Sequence, residues 1–238
     1  SDPSEAALSR LEAMGLSQLS TSPDKLFEEA DLVVAAVKPQ VIPAALTAIK
    51  DQLGSGTALL SIAAGIPISS LQSQLGEDVA IIRCMPNTPA MIGLGASALF
   101  AADSVSASHR ALAEQVTNAA GKTVWVSREE LLDAVTAVSG SGPAYFFALI
   151  EAIARAGTEL GLEEEVALAL TVQTALGAAS LAAQATEPVA MLRENVTSPG
   201  GTTEQALQSL KANDFDAVVA QAVRQCAARA KALGEEFG

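Results

Sequence analysis

Histidine, cysteine, aromatic side chains and positive charge are all scarce in this 238-residue chain. The one histidine, His109, sits in a polar segment (SASHRALAEQ) that reads as a solvated helix face. A Ser-His-Asp or Cys-His nucleophilic machine and a histidine-rich metal site are therefore excluded, and no metal is expected. The two cysteines, Cys84 and Cys226, lie far apart and lack redox or metal spacing. They read as small buried hydrophobes in a reducing compartment. Fourteen basic residues stand against 27 acidic ones, a net charge of −13. Such a surface repels phosphate backbones and anionic lipid, so neither nucleic acid nor membrane is expected as a partner. A small anion needs only a local electropositive pocket and stays allowed. The segment SDPSEAALSR has no basic region followed by an apolar run, so no signal peptide is read there. Aromatics make up only 3% of the chain, although half of it is hydrophobic. Ala, Leu and Val carry the apolar load, which suits closely packed helices and excludes a disulfide-stapled mini-protein.

At roughly 100–200 residues per domain, the length allows one large or two modest domains. Up to about residue 126 the pattern alternates. Glu5–Met14 reads as a helix ended by Gly15. Asp31–Val37 (DLVVAAV), Thr57–Ile62 (TALLSI) and Val79–Met85 (VAIIRCM) are continuous apolar runs, the mark of strands buried on both faces. Helical spacing fills Val41–Leu53 and Pro67–Leu75 between them. Ala96–Phe100 and Thr123–Val126 read as two more strands around a helix at Ser106–Ala120. Strand alternating with helix predicts a parallel sheet with helices on its faces.

From Ser127 to Gly238 no β-rich run appears. Glu129–Val138, Ala144–Leu160, Glu163–Ala185, Thr203–Lys211 and Phe215–Phe237 read as helices, punctuated by Gly140, Gly142, Pro143, Gly161 and Pro199-Gly200-Gly201. The expectation is a sheet domain over 1–126 and an all-helical domain over 127–238. Ala-rich helices bury little area each, so the second half is expected to pack against another copy of itself. Val166–Ala185, the least charged stretch, reads as a buried or subunit-interface helix rather than a membrane span.

In open α/β sheets ligands bind at the carboxyl ends of the strands. Three such ends stand out. Ala36-Val37-Lys38-Pro39 puts a cation at a rigid turn. Ser61-Ile62-Ala63-Ala64-Gly65 lets a flat ring or sugar approach the backbone. Arg83-Cys84-Met85-Pro86-Asn87-Thr88-Pro89 fixes a short loop in which Asn87 offers a donor and an acceptor. The strongest local sequence is Asn195-Val196-Thr197-Ser198-Pro199-Gly200-Gly201-Thr202-Thr203-Glu204-Gln205. Thr202 and Gln205 have capping-box spacing, and a glycine-rich turn opening a helix offers free N–H groups to a carboxylate or phosphate. Ser139-Gly140-Ser141-Gly142-Pro143-Ala144-Tyr145 reads as a hinge or a close helix-to-sheet contact. Gly93-Leu94-Gly95-Ala96-Ser97-Ala98 fits a dinucleotide fingerprint formally but leads into a strand, where the fingerprint must open a helix. No general base is evident, so the hard chemical step falls to a cofactor.

AVKP at 36–39, SIAAG at 61–65, RCMPNTP at 83–89, SGSGPAY at 139–145 and NVTSPGGTTEQAL at 195–207 occur together in this order. Over essentially its whole length the chain resembles the pyrroline-5-carboxylate reductases, the enzymes of the last step of proline synthesis. The resemblance implies an α/β Rossmann-like domain followed by an all-α dimerisation domain, and reduction of 1-pyrroline-5-carboxylate to L-proline by hydride from NADPH, with NADH as an alternative. It also implies a strand, glycine-rich loop and helix ahead of a segment like Ser1-Asp2-Pro3. That unit is not in this sequence, and the expectation is that it was omitted from a longer chain.

Position by position, the resemblance assigns cofactor contacts to Ser1, Asp2, Ala36, Val37, Lys38, Pro39, Ala63, Ala64, Gly65, Met85 and Asn87. A carboxylate such as Asp2 favours a free ribose 2′-hydroxyl, whereas the family usually takes NADPH. Asn195, Val196, Ser198, Gly200, Gly201 and Thr202 correspond to the substrate loop, with Thr203 as the catalytic hydroxyl beside the imine nitrogen. Glu187 lies near an acidic position of the family. The implied assembly is a cytoplasmic homodimer, or a higher oligomer of dimers, with helical halves intertwined. Two other readings stand beside this one. A 3-hydroxy-acid dehydrogenase of similar architecture would place a lysine where Tyr145-Phe146-Phe147-Ala148 offers none. A truncated, non-catalytic homologue would keep only the helical dimer.

Overall fold

The computed structural model describes residues 1–22, 30–54 and 56–237. Among these, five strands form one sheet in the order β1-β2-β3-β4-β5: Leu32–Ala35, Ala58–Ser61, Ala80–Met85, Gly95–Ala101 and Gly121–Trp125. All five strand expectations are met. The sheet is mixed rather than wholly parallel. β1, β2 and β3 run parallel, β4 runs antiparallel to β3, and β5 is parallel to β4. The cause is loop length. A parallel return needs a crossover of roughly a dozen residues or more, and segment 86–94 is too short, so the chain turns back beside β3.

The continuous apolar runs of β2 and β3 follow from burial on both faces. Leu59 and Ile81, opposite one another in register, face Ile42, Leu46 and Ile49 of α2 (Ile42–Ile49) and Leu71 and Leu75 of α3 (Ile68–Leu75). Leu60 and Ile82, one residue on, face the other way, where Cys84, Leu99, Val105 and Ala113 complete a second core. Ala113 comes from α4 (Ala107–Asn118), which Ser106 caps by accepting from His109 N–H. Gly95 and Gly121 touch backbone to backbone at the start of β4 and β5, too closely for a Cβ on either. Gly95 thus opens a strand, as its rejected fingerprint required. One expectation is corrected: His109 is half-buried, and its Nε2–H donates to the Gly56 carbonyl at 2.9 Å, tying α4 to the turn before β2.

α1 (Glu5–Ala13) buries no residue. After β5 come α5 (Leu131–Val135) and one turn of π-helix at Thr136–Gly140. The chain divides into two compact units, Ser1–Gly140 with Cys226–Gly238, and Ser141–Gln225. In the second, α6 (Gly142–Glu159) and α7 (Glu164–Gln184) form a helical hairpin, followed by α8 (Val189–Asn195), α9 (Thr202–Ala212) and the first part of α10 (Phe215–Phe237). Gly157 allows the hairpin's close approach, since a Cβ there would stand 3.3 Å from the Ala167 Cβ. Only Gly142, Ala167 and Thr171 of this unit's described residues are buried, while Phe146, Phe147, Leu170, Leu176 and Leu181 are more than half exposed. α7 is long and apolar enough to cross a membrane by length and composition.

The double-faced core generates a stability prediction. Leu60→Ala removes a side chain that is 1% exposed and should cost about 2–5 kcal/mol. Urea unfolding at fixed protein concentration should show a lower midpoint with an unchanged slope.

Candidate active site

Because β1, β2 and β3 are parallel and in register, Ala35 stands beside Ser61 and Ser61 beside Arg83. The residues that follow therefore emerge at one edge of the sheet. The bond from Ile62 N–H to the Ala35 carbonyl, 3.2 Å, extends the ladder by one step. Ala63 N–H donates to the Ser61 hydroxyl at 3.4 Å. Ala36 and Lys38 are exposed, Val37 and Pro39 half-buried, Ala63 buried, and Ala64, Gly65, Met85 and Asn87 half-buried. Lys38 makes no ion pair among the described residues. The edge thus combines accessible backbone, small side chains and one exposed cation, a donor set that fits a flat dinucleotide with anionic groups. Gly65, at φ +80°, takes a conformation that side chains disfavour.

Asn87 is a bracket within this edge. Its Nδ2 donates to the Ser139 carbonyl at 3.0 Å, and its Oδ1 accepts from Ala96 N–H at 2.8 Å. The loop after β3 is thereby joined to the π-helix and to β4, with one N–H and one lone pair to spare. Gly140 lies against the Met85 methyl, where a Cβ would collide. Ser1 is exposed and Asp2 half-buried. The Asp2 carboxylate accepts from Ser4 N–H at 2.8 Å, and Asp2 N–H donates to the Ser20 carbonyl at 3.1 Å.

In the second unit, Asn195 ends α8, Val196 caps it, and Gly201 is the N-cap of α9. Asn195, Val196, Ser198, Gly200 and Thr202 are exposed, and Gly201 and Thr203 half-buried. The expected capping box between Thr202 and Gln205 is absent. The helix begins one residue early because Gly200 takes a left-handed turn, φ +72°. Glu204 makes the reciprocal contact instead, accepting from Gly200 N–H at 2.6 Å. Gly201 N–H donates to the Ser198 carbonyl at 3.0 Å. The amides left without an intrahelical partner are those of Thr202, Thr203 and Glu204. Glu187 is exposed in the segment before α8.

Two titrating groups among the described residues depart from ordinary behaviour. Burial pushes the Cys84 thiol up to about 11, against a hydrogen bond with Ser97 that lowers it. Cys84 stays protonated and non-nucleophilic near neutrality. Burial also raises the Asp133 carboxyl, with Arg83 and Lys231 pulling the other way. Among the described residues no cluster of His, Cys, Asp and Glu is arranged to hold a metal ion.

Residues 129–233 match the family model for pyrroline-5-carboxylate reductase dimerisation, and residues 1–65 match that of the coenzyme F420-dependent NADP oxidoreductases. A pyrroline-5-carboxylate reductase of Pseudomonas aeruginosa is 49% identical over 210 residues, covering 88% of this chain and 77% of the relative. The chain belongs to the pyrroline-5-carboxylate reductase family. A reductase structure from Coxiella burnetii superposes with a TM-score of 0.93 at 37% identity, covering 98% of this chain and 86% of that one. One from Plasmodium falciparum with NADP bound gives 0.81 at 32% identity, covering 92% and 85%.

For a pyrroline-5-carboxylate reductase, the strand-end edge and the α8–α9 turn are the two places where its motifs gather. Sequence reasoning missed Glu204 as the group that holds the turn; its place four residues after Gly200 was the available signal. It also missed Glu129, whose partners lie on other elements.

Asn87→Ala removes both bonds of the bracket and should cost about 1–3 kcal/mol. Thermal unfolding at matched protein concentration should show the lower midpoint. An unchanged midpoint would mean that water replaces the amide without loss.

Proposed function

We propose that this protein reduces 1-pyrroline-5-carboxylate to L-proline, the final step of proline synthesis, with NAD(P)H as hydride donor. The observation that carries the reading is family membership across nearly the whole chain together with the small-residue strand-end edge. NADPH is the expected cofactor, in line with the NADP oxidoreductase match over residues 1–65 and the NADP-bound relative. NADH is the alternative that Asp2 keeps open. We assign cofactor binding to residues 1–126, and substrate binding and dimerisation to residues 127–238.

Ala36–Pro39 and Ala63–Gly65 would form two walls for the dinucleotide, with Met85 and Asn87 beside its nicotinamide end and Ser1-Asp2 at the adenosine ribose. When bound, NADPH supplies the hydride that the imine carbon accepts. The substrate carboxylate would sit on the Thr202, Thr203 and Glu204 amides, where the helix dipole favours negative charge. Gly200 and Gly201 shape that seat, flanked by Asn195, Val196 and Ser198. Their own N–H groups are already taken, by Glu204 and by Ser198. The Thr203 hydroxyl would accept a hydrogen bond from the protonated imine nitrogen and hold that proton in place while the carbon is reduced. A protonated imine needs no later neutralisation, so positioning supplies most of the acceleration.

The family model over residues 129–233 makes the protein a homodimer. We propose that its α6 and α7 cover the exposed apolar faces of a second copy, and that dimers associate further. We also place it in the cytoplasm, without nucleic-acid or membrane partners. The absence of redox or metal spacing between the two cysteines and the acidic charge support this.

Steady-state kinetics and light scattering test the assignment. NADPH oxidation should depend on pyrroline-5-carboxylate. Thr203→Val should lower kcat by roughly 10- to 100-fold, the value of a hydrogen bond to a charged group. Gly201→Val, whose Cβ would stand 3.0 Å from the Ser198 carbonyl, should instead raise the KM for substrate. Unaltered kinetics in Thr203→Val would remove its hydroxyl from the mechanism. Light scattering at micromolar concentration should return at least twice the chain mass. Leu176→Glu, which places a charge on an exposed apolar position of α7, should shift the protein toward monomer.

A further inference from the structure

Glu129 lies between β5 and α5, and one of its oxygens serves two partners. Oε1 accepts from Arg83 Nη1 at 2.8 Å and from Ile68 N–H at 2.7 Å. Arg83 is an anomaly for a strand core. It shares the face of Ile81 on β3 and is only 8% exposed. A buried guanidinium without a partner is strongly unfavourable, so Glu129 is its necessary counter-charge. Ile68 is the first residue of α3, whose N-cap is Pro67. Proline has no side-chain acceptor, so Glu129 supplies the cap that the local sequence cannot.

Directly before Pro67 and Ile66 lies Ala63-Ala64-Gly65. β2 fixes one end of this segment, and the start of α3 fixes the other. None of its side chains is long enough to hold it between them. A third support comes from α10. A Cβ on Gly234 would stand 2.8 Å from the Gly65 carbonyl oxygen, and a Cβ on Gly65 would stand 3.2 Å from Gly234 N. These two backbones meet because neither residue has a side chain. Arg83, Glu129, Asp133 and Lys231 line a cavity of about 300 Å³ that Gly65 and Gly234 also border.

We infer that Glu129, backed by Arg83, and Gly234 are positioning residues for the cofactor: together they clamp the Ala63–Gly65 segment in the shape that receives the dinucleotide. The inference rests on the proposed reading of that segment as a cofactor wall. Releasing the clamp frees one loop and one helix end while the ladder between β2 and β3 stays whole. Dinucleotide binding should therefore suffer out of proportion to substrate binding.

The test uses the full chain. Hydrogen exchange of the 63–70 amides, without nucleotide, should be roughly tenfold faster in Glu129→Ala than in the wild type. The NADPH Kd from a fluorescence titration should rise about 10- to 100-fold, the loss of one charge-assisted hydrogen bond. The KM for NADPH should follow, and the KM for pyrroline-5-carboxylate should stay within about twofold, since the proposed carboxylate seat is built from the α8–α9 turn and not from this segment. Glu129→Gln keeps a neutral acceptor for Ile68 N–H and Arg83 but removes the counter-charge, so its NADPH affinity should fall between those of the wild type and Glu129→Ala. Gly234→Val should reproduce the NADPH-specific loss from the other side of the loop. Wild-type NADPH affinity in both Glu129→Ala and Gly234→Val overturns the clamp. So does an equal rise in exchange over the whole chain, or an equal rise in both KM values. A wild-type protein that binds NADPH but does not reduce pyrroline-5-carboxylate overturns the functional reading alone. One that binds no NADPH overturns the cofactor wall and, with it, the positioning role.

Discussion

A parallel strand pair cannot be closed by a tight turn, and the rest of this structure depends on that constraint. β1 and β2 must each send the chain out at the same edge, over a helix and back again, and β3 ends at that edge too. α2 and α3 cover one face and α4 the other, which is why Leu59 and Leu60, side by side in sequence, are both buried in opposite cores. The same constraint collects Ala36–Pro39, Ala63–Gly65 and Met85–Asn87 along one edge, although they are scattered over fifty residues of sequence. The break in the pattern occurs where the connection shortens. Segment 86–94 returns β4 beside β3 in the opposite sense, and the bracket made by Asn87 stiffens that return.

β2 and β3 were legible in the sequence because burial on both faces leaves uninterrupted apolar runs, whereas β1 exposes Val34 and β5 alternates between half-buried and exposed residues. Their direction was not, since hydrophobic periodicity is the same read either way; only the length of a connection carries it. α8 escaped notice because Val189–Asn195 spans only 7 residues, too few to repeat an apolar face. The π-turn at Thr136–Gly140 escaped because a change of hydrogen-bond register leaves side-chain spacing almost intact. It packs Gly140 against the Met85 methyl, a contact between residues far apart in sequence. The motifs of the candidate site were readable as motifs, but their internal wiring was not. Glu129 reaches partners 46 and 61 residues away, and no local pattern announces a bond of that kind.

The two units solve different problems. The sheet unit closes its own cores, so its edge can be rigid without help. The helical unit does not. α7 is apolar around its whole circumference, and most of its Leu and Val side chains are exposed in the single chain. A low aromatic content makes each helix a poor source of buried area, and small residues such as Gly157 and Ala167 compensate by letting backbones approach closely. Such a unit gains its core by association, which is what a dimerisation family implies physically. A membrane would also cover an apolar helix, but α7 belongs to the family-matched stretch whose described role is dimerisation.

Charge placement separates the two proposed ligand sites. The chain is strongly acidic overall, yet neither site depends on a cluster of cations. At the α8–α9 turn, attraction for a carboxylate comes from N–H groups, and the nearest side-chain charge, Glu204, is of the same sign as the ligand. That carboxylate is spent on Gly200, which keeps it from competing for the amides of the first helical turn. It also makes the seat demanding: a bound anion must be small enough to reach Thr202 and Thr203 without approaching Glu204. In the proposed reading, a compact ring acid would be favoured over a larger dicarboxylate by repulsion as much as by fit.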